Sequence, residues 1–167
     1  MRARRMLAAV ACLMPCGRAL AQRPASVDTG NAPWVTTAGA PGRANQSLVG
    51  DRRAAGLFIE RVSFPKGFRG PPHTHTITGY VTILKGELTV GFGAKVDSST
   101  VYRVRAGGFI VLPAGVPHFE WFEEDTVEHV VGVGPMSTTM VDTLGRALPG
   151  PPAPPAPARA KPPATGR

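Results

Sequence analysis

The stretch "GPPHTHTITGYVTILKGEL", Gly70 to Leu88, sets two histidines one residue apart and then runs into a β-branched segment rich in Val, Ile and Thr. In a strand, residues i and i+2 project to the same face, so His73 and His75 point together at one spot. An H-x-H pair on a strand is a common way to begin a metal site, because two neutral imidazoles then share one approach to an ion. The glycine of "LKGEL" between two strand-like runs reads as a tight hairpin.

A third histidine follows 43 residues after His75, in "GGFIVLPAGVPHFEW". Pro113 and Gly115 shape a sharp reversal, and His118 starts the next strand. Two such segments facing one another across a small barrel bring three imidazoles together, enough to hold a divalent metal. Around them the chain reads as short strands cut by Gly/Pro turns: Gly56–Phe64, Tyr80–Leu84, Glu87–Phe92, Val101–Arg105, Phe109–Leu112, Thr126–Val133 and Ser137–Val141. No long amphipathic helix is present in the pattern. The expectation is an all-β fold, a small antiparallel β-barrel or jelly roll.

The segments flanking this body differ from it. Arg2, Arg4 and Arg5, the apolar run Met6–Met14 and the "ALA" of Ala19–Ala21 come in the order of a secretory signal, with cleavage expected after Ala21. The apolar run is too short to span a bilayer. A periplasmic or secreted location follows. Both cysteines, Cys12 and Cys16, lie in that segment, so the mature chain has no thiol chemistry. Residues 22–44 read as an extended leader arm, 45–148 as the barrel domain, and 149–167 as a Pro/Ala tail that cannot build a core.

The net charge of +8 misleads about partners. Four arginines lie in residues 1–21, and residues 45–145 carry nine Lys/Arg against ten Asp/Glu. A face that tracks phosphates needs clustered basic residues on the folded part, so nucleic acid is not an expected partner.

The two quoted segments resemble the first and second motifs of the cupin superfamily. The run from "VSFPKGF" to "VVGVGPM" is similar to small bacterial single-domain cupins over roughly residues 45–142. That resemblance implies a β-barrel with a metal inside, and His73, His75 and His118 fall on its three histidine ligand positions. The glutamate that usually completes the set falls on Gly79. The histidine expected next to it falls on Tyr80, and the asparagine that often ends the second motif falls on Phe122.

Two residues are candidates to modify the site. Glu120 shares the strand parity of His118 and can supply the carboxylate that Gly79 lacks. His129 shares a face with Val127 and Val131, which favours the interior and makes it a candidate fourth ligand or outer partner. Tyr80 and Glu120 are the candidate acid or base. A neutral three-histidine set leaves the ion's charge uncompensated and welcomes an anionic small molecule. The functional expectation is an exported cupin holding Fe, Mn, Ni or Zn. Its chemistry is that of a dioxygenase-like enzyme or a metal-dependent isomerase; the alternative is a non-catalytic ligand-binding module of the cell envelope. A homodimer is compatible with such a barrel.

Overall fold

A computed structural model describes residues 26–150. It contains eleven strands and, among the described residues, no helix. They are β1 (Val35–Thr36), β2 (Ala44–Val49), β3 (Gly56–Phe64), β4 (Arg69–His75), β5 (Gly79–Lys85), β6 (Glu87–Phe92), β7 (Val101–Arg105), β8 (Phe109–Leu112), β9 (His118–Trp121), β10 (Thr126–Gly134) and β11 (Thr138–Met140). Two antiparallel sheets face one another as a jelly roll. One is ordered β1-β2-β3-β10-β5-β8 and the other β11-β4-β9-β6-β7.

The alternation of apolar side chains decides which face of each strand turns inward. On β3, Phe58, Glu60, Val62 and Phe64 are buried, while the residues between them are more open. On β5 the inward set is Gly79, Val81 and Ile83. On β10 it is Thr126, Glu128 and Val130. Leu88 and Val90 of β6 and Phe122 close the core from the opposite sheet. Phe122, where the resemblance leads one to expect an asparagine, is fully buried and stacks on Phe64 with ring centroids 4.0 Å apart. Its role is packing.

Two local expectations are corrected. Gly86 does not close a hairpin: β5 and β6 belong to different sheets, and Gly86 carries the chain from one to the other. Its φ of +79° and the approach of Thr126 Oγ1, 2.5 Å from where a Cβ would stand, leave glycine as the residue that fits. The described part of the leader arm is docked rather than extended. β1 pairs with β2, and the buried Gln46 side chain donates to the carbonyls of Thr29 (2.9 Å) and Ala32 (2.6 Å). Residues 1–21, where a signal is expected, and residues 151–167 of the expected tail lie outside the described residues. No helix among the described residues is long and apolar enough to cross a membrane.

Candidate metal centre

The histidines converge because of strand register. His73 pairs directly with His118 across β4 and β9, and His75 sits two residues further on the same face of β4. Ring centroids are 4.3 Å apart for His73–His118, 4.9 Å for His73–His75 and 5.0 Å for His75–His118. One ligand atom from each ring lies within 4.8 Å of the other two.

The outer nitrogen of each ring is already occupied. His73 Nδ1 donates to the Pro71 carbonyl at 2.7 Å, and His118 Nδ1 donates to the Val116 carbonyl at 3.1 Å. In both cases the acceptor is two residues upstream, so the backbone itself selects the tautomer. His75 Nδ1 shares a hydrogen bond of 3.0 Å with Thr138 Oγ1, which β11 presents opposite it. A ring fixed in this way turns an unprotonated Nε2 inward, the arrangement typical of metal-bound histidine. His118 Nε2 is buried without a hydrogen-bond partner. A buried polar atom left unpaired is costly, and a cation at the meeting point of the three rings removes that cost. The donor set therefore fits a divalent ion.

Electrostatics hold the same protonation state. Burial, then the neighbouring His73 and His118, push His75 down to about 3. Burial also lowers His118, against an opposing pull from Glu120. Neutral imidazole is the form that binds metal.

The centre opens into a cavity of about 800 Å³ between the sheets. Gly79 faces it from β5. A Cβ there meets only Leu112 Cβ at 3.9 Å and Met136 Cε at 4.0 Å, and Gly79 is not among the positive-φ glycines. Its absent side chain leaves usable space, with no backbone requirement for glycine. Glu120 is buried on β9, faces the cavity as its parity with His118 implies, and lies outside the three-histidine group.

Two candidate residues are corrected. Tyr80 lies on the outer face of β5, half exposed and stacked on Phe109 at 6.5 Å, because Gly79 and Val81 take the inward parity. His129 is likewise outside. Glu128 and Val130 turn inward on β10, and His129 Nε2 accepts a hydrogen bond of 3.0 Å from Arg61 Nε. Burial and Arg61 lower its pKa. Both faces of "TVEHVVGV" carry valines, so the pattern alone left the parity open and pairing with β3 and β5 decided it.

Sequence reasoning missed Arg43, Arg52, Glu60 and Glu128, which also line the cavity. Arg52 Nη1 donates to Glu60 Oε1 at 2.9 Å, and Asn45 Nδ2 donates to Glu60 Oε2 at 3.2 Å. The available signal was Glu60 itself, a charge between Phe58 and Val62 on the apolar face of a strand.

The family described as "Domain of unknown function (DUF4437)" matches residues 25–130. Among curated proteins, germin-like protein 3-5 of Oryza sativa subsp. japonica is 34% identical over 99 residues, covering 57% of this chain and 39% of the relative. Oxalate oxidase 1 of Hordeum vulgare is 38% identical over 80 residues, covering 46% and 40%. The chain thus spans about two fifths of the length of these relatives. An RmlC-like cupin from Ralstonia eutropha superposes with a TM-score of 0.60 at 18% identity, over 76% of this chain and 78% of that one. Salicylate 1,2-dioxygenase from Pseudoaminobacter salicylatoxidans, solved as adducts with gentisate, gives 0.52 at 17% identity, over 63% and 30%. These structural likenesses establish the fold. With the family match covering most of the described chain and the histidines at both motif positions, this protein belongs to the DUF4437 family of the cupin superfamily.

Proposed function

We propose that this chain is an exported, metal-dependent cupin of the oxidoreductase class, dioxygenase-like in its chemistry and acting on a small anionic molecule. One observation carries the reading: three imidazoles converge with their outer nitrogens held, and they open onto a cavity large enough for a small organic molecule. The sequence likeness to oxalate oxidase 1 supports an oxidoreductase.

His73, His75 and His118 would hold the ion, with Fe, Mn, Ni and Zn all compatible with imidazole donors. Bound there, such an ion supplies Lewis acidity and a template for substrate. The three neutral rings add no negative charge, so an anionic substrate is favoured at that end. Arg52, which lines the cavity and lowers the His75 pKa, adds positive potential in the same direction. Glu120 borders the same cavity and would accept or return a proton on the substrate. Tyr80, on the outer face, has no such role.

Metal analysis of protein purified without added metal or a histidine tag tests the reading, together with dioxygen uptake in the presence of small carboxylates. About one transition metal per chain and carboxylate-dependent uptake are expected. A metal-free chain that still binds carboxylates without turnover would select the second reading, a non-catalytic binding module, which Gly79 favours by removing the usual carboxylate.

A further inference from the structure

Glu60, Glu120, Glu128 and Arg43 line a wall of the cavity that lies outside the three-histidine group. Glu60 and Glu128 project from β3 and β10 of one sheet, in diagonal register, since Glu128 pairs with Val62 and Val130 with Glu60. Glu120 projects from β9 of the other sheet. Arg43 enters beside the loop that runs from Thr37 to Pro41, with Nη1 donating to Thr37 Oγ1 at 3.0 Å and its guanidinium 5.4 Å from the centre of the Phe64 ring.

Glu128 is the anomaly. It is 4% exposed, it lines the cavity, and its Oε2 has no hydrogen-bond partner. Glu60 differs, because Arg52 and Asn45 satisfy both of its oxygens. A buried, unsatisfied carboxyl costs stability and brings the fold nothing in return. Burial first, then Glu120, raise its pKa well above the ordinary value, against the pull of Arg43, which favours the protonated form that donates as well as accepts.

The chemistry of this wall excludes most occupants. Arg43, with Arg52 paired to Glu60, works against a cation. A second anion would meet Glu120 and Glu60. A hydroxyl satisfies every neighbour at once: it accepts from Glu128 or Arg43 and donates to a glutamate oxygen. Phe64 and Phe68 line the same cavity and offer aromatic surface to the body of such a molecule.

We propose that Glu128, with Glu120 and Arg43, forms a subsite for the hydroxyl-bearing end of a small, flat molecule whose anionic end faces the histidines. The subsite deepens the metal-dependent reading above and rests on it only for the direction in which the molecule lies.

The test compares 3,4-dihydroxybenzoate with 3,4-dimethoxybenzoate, whose oxygens accept but cannot donate, by calorimetric titration of the full chain in metal-free and zinc-loaded forms. The dihydroxy compound should bind about tenfold tighter. Glu128→Met should abolish that preference and raise the melting temperature. Glu128→Gln, which keeps a donor and an acceptor, should retain most of the preference. Equal affinities in the parent protein, failure of both probes to bind, or a preference that survives Glu128→Met would each overturn the subsite. So would a Glu128→Met variant that melts lower than the parent, because the carboxyl would then serve the fold. The metal-free arm separates the two readings. A preference there without zinc uptake leaves the subsite standing and removes the metal centre, and zinc uptake without a preference does the reverse.

Discussion

His73 and His118 pair directly across β4 and β9, and each donates its Nδ1 proton to the carbonyl two residues before it, Pro71 and Val116. The two motifs are thus built alike: a turn carbonyl orients the ring, and the strand aims it. His75→Ala leaves two imidazoles, an incomplete cage. Metal affinity should fall by more than the roughly 10–100-fold that loss of an outer partner costs. His129→Ala, which removes a ring bonded to Arg61 on the outer face, should retain full metal content. Elemental analysis of both variants beside the parent checks this, and equal losses would return His129 to the centre.

Among the described residues Thr138 is the one side-chain partner in this arrangement, sharing a hydrogen bond with His75 Nδ1. Thr138→Val keeps the β-branched shape and removes the hydroxyl. Because the residue is exposed and water can replace it, metal affinity should weaken by only about tenfold, the low end for an outer partner. Competition with a chelator of known affinity measures it. An unchanged value would mean that His75 is oriented by the strand alone.

Much of this was legible in the chain itself. Gly56–Phe64, Glu87–Phe92, Val101–Arg105 and Phe109–Leu112 form strands with the bounds that their composition implies. The three-histidine group follows from strand parity and the spacing of two turns. What was not legible depends on pairing partners. Tyr80 and His129 sit in strands with hydrophobic residues on both faces, so local alternation cannot say which face turns inward. Gly86 looks like a hairpin residue because a turn sequence does not reveal whether its flanking strands pair with each other. Glu128, which faces the cavity from β10, carries no signal in the local pattern that sets it apart from a surface carboxylate.

Export is a prediction that the ordered n-region, apolar run and Ala19–Ala21 carry together. In its native cells the mature chain should begin at Gln22 and be recovered outside the cytoplasm. Intact mass and N-terminal sequencing decide it; a cytosolic chain retaining residues 1–21 would refute the assignment.

The metal-free protein should show a pH dependence with opposed contributions. His75, lowered from 6.5 to about 3, and His118, also lowered, are neutral in the fold and take up protons on unfolding. Their contribution is present above about pH 6.5 and is lost as pH falls toward 3. Glu128 is raised from 4.5, so its contribution is present below that value and is lost as pH rises toward its folded pKa. Denaturant midpoints measured in chelator should therefore fall steeply on the acid side. The fall should be shallower in His75→Ala. Glu128→Met should lose the opposing slope above pH 4.5, which makes the acid-side rise of stability with pH steeper. An acid limb unchanged in His75→Ala would show that this ring is not held neutral.

Gly79 offers the sharpest separation of binding from chemistry. It is the position at which the sequence resemblance leads one to expect a carboxylate, its backbone is not in the left-handed region, and a Cβ fits at ordinary contact distances from Leu112 and Met136. Gly79→Glu therefore carries no backbone strain, and because glycine in a strand interior is itself unfavourable, the cost of the change lies only in burying the carboxylate. With metal present, that carboxylate gains a divalent partner. Metal affinity should rise and the melting temperature of the loaded form should rise with it. The added charge also lowers the pull on an anionic substrate, and the side chain fills space that Gly79 leaves open. Turnover should fall as affinity rises, with Gly79→Ala as the control that fills space without charge. If Glu120 already serves the ion, Glu120→Ala weakens metal binding and Gly79→Glu changes it little. A folded Gly79→Glu and a folded Glu120→Ala that both leave metal affinity unchanged would remove the metal from this cavity and leave a binding module in its place.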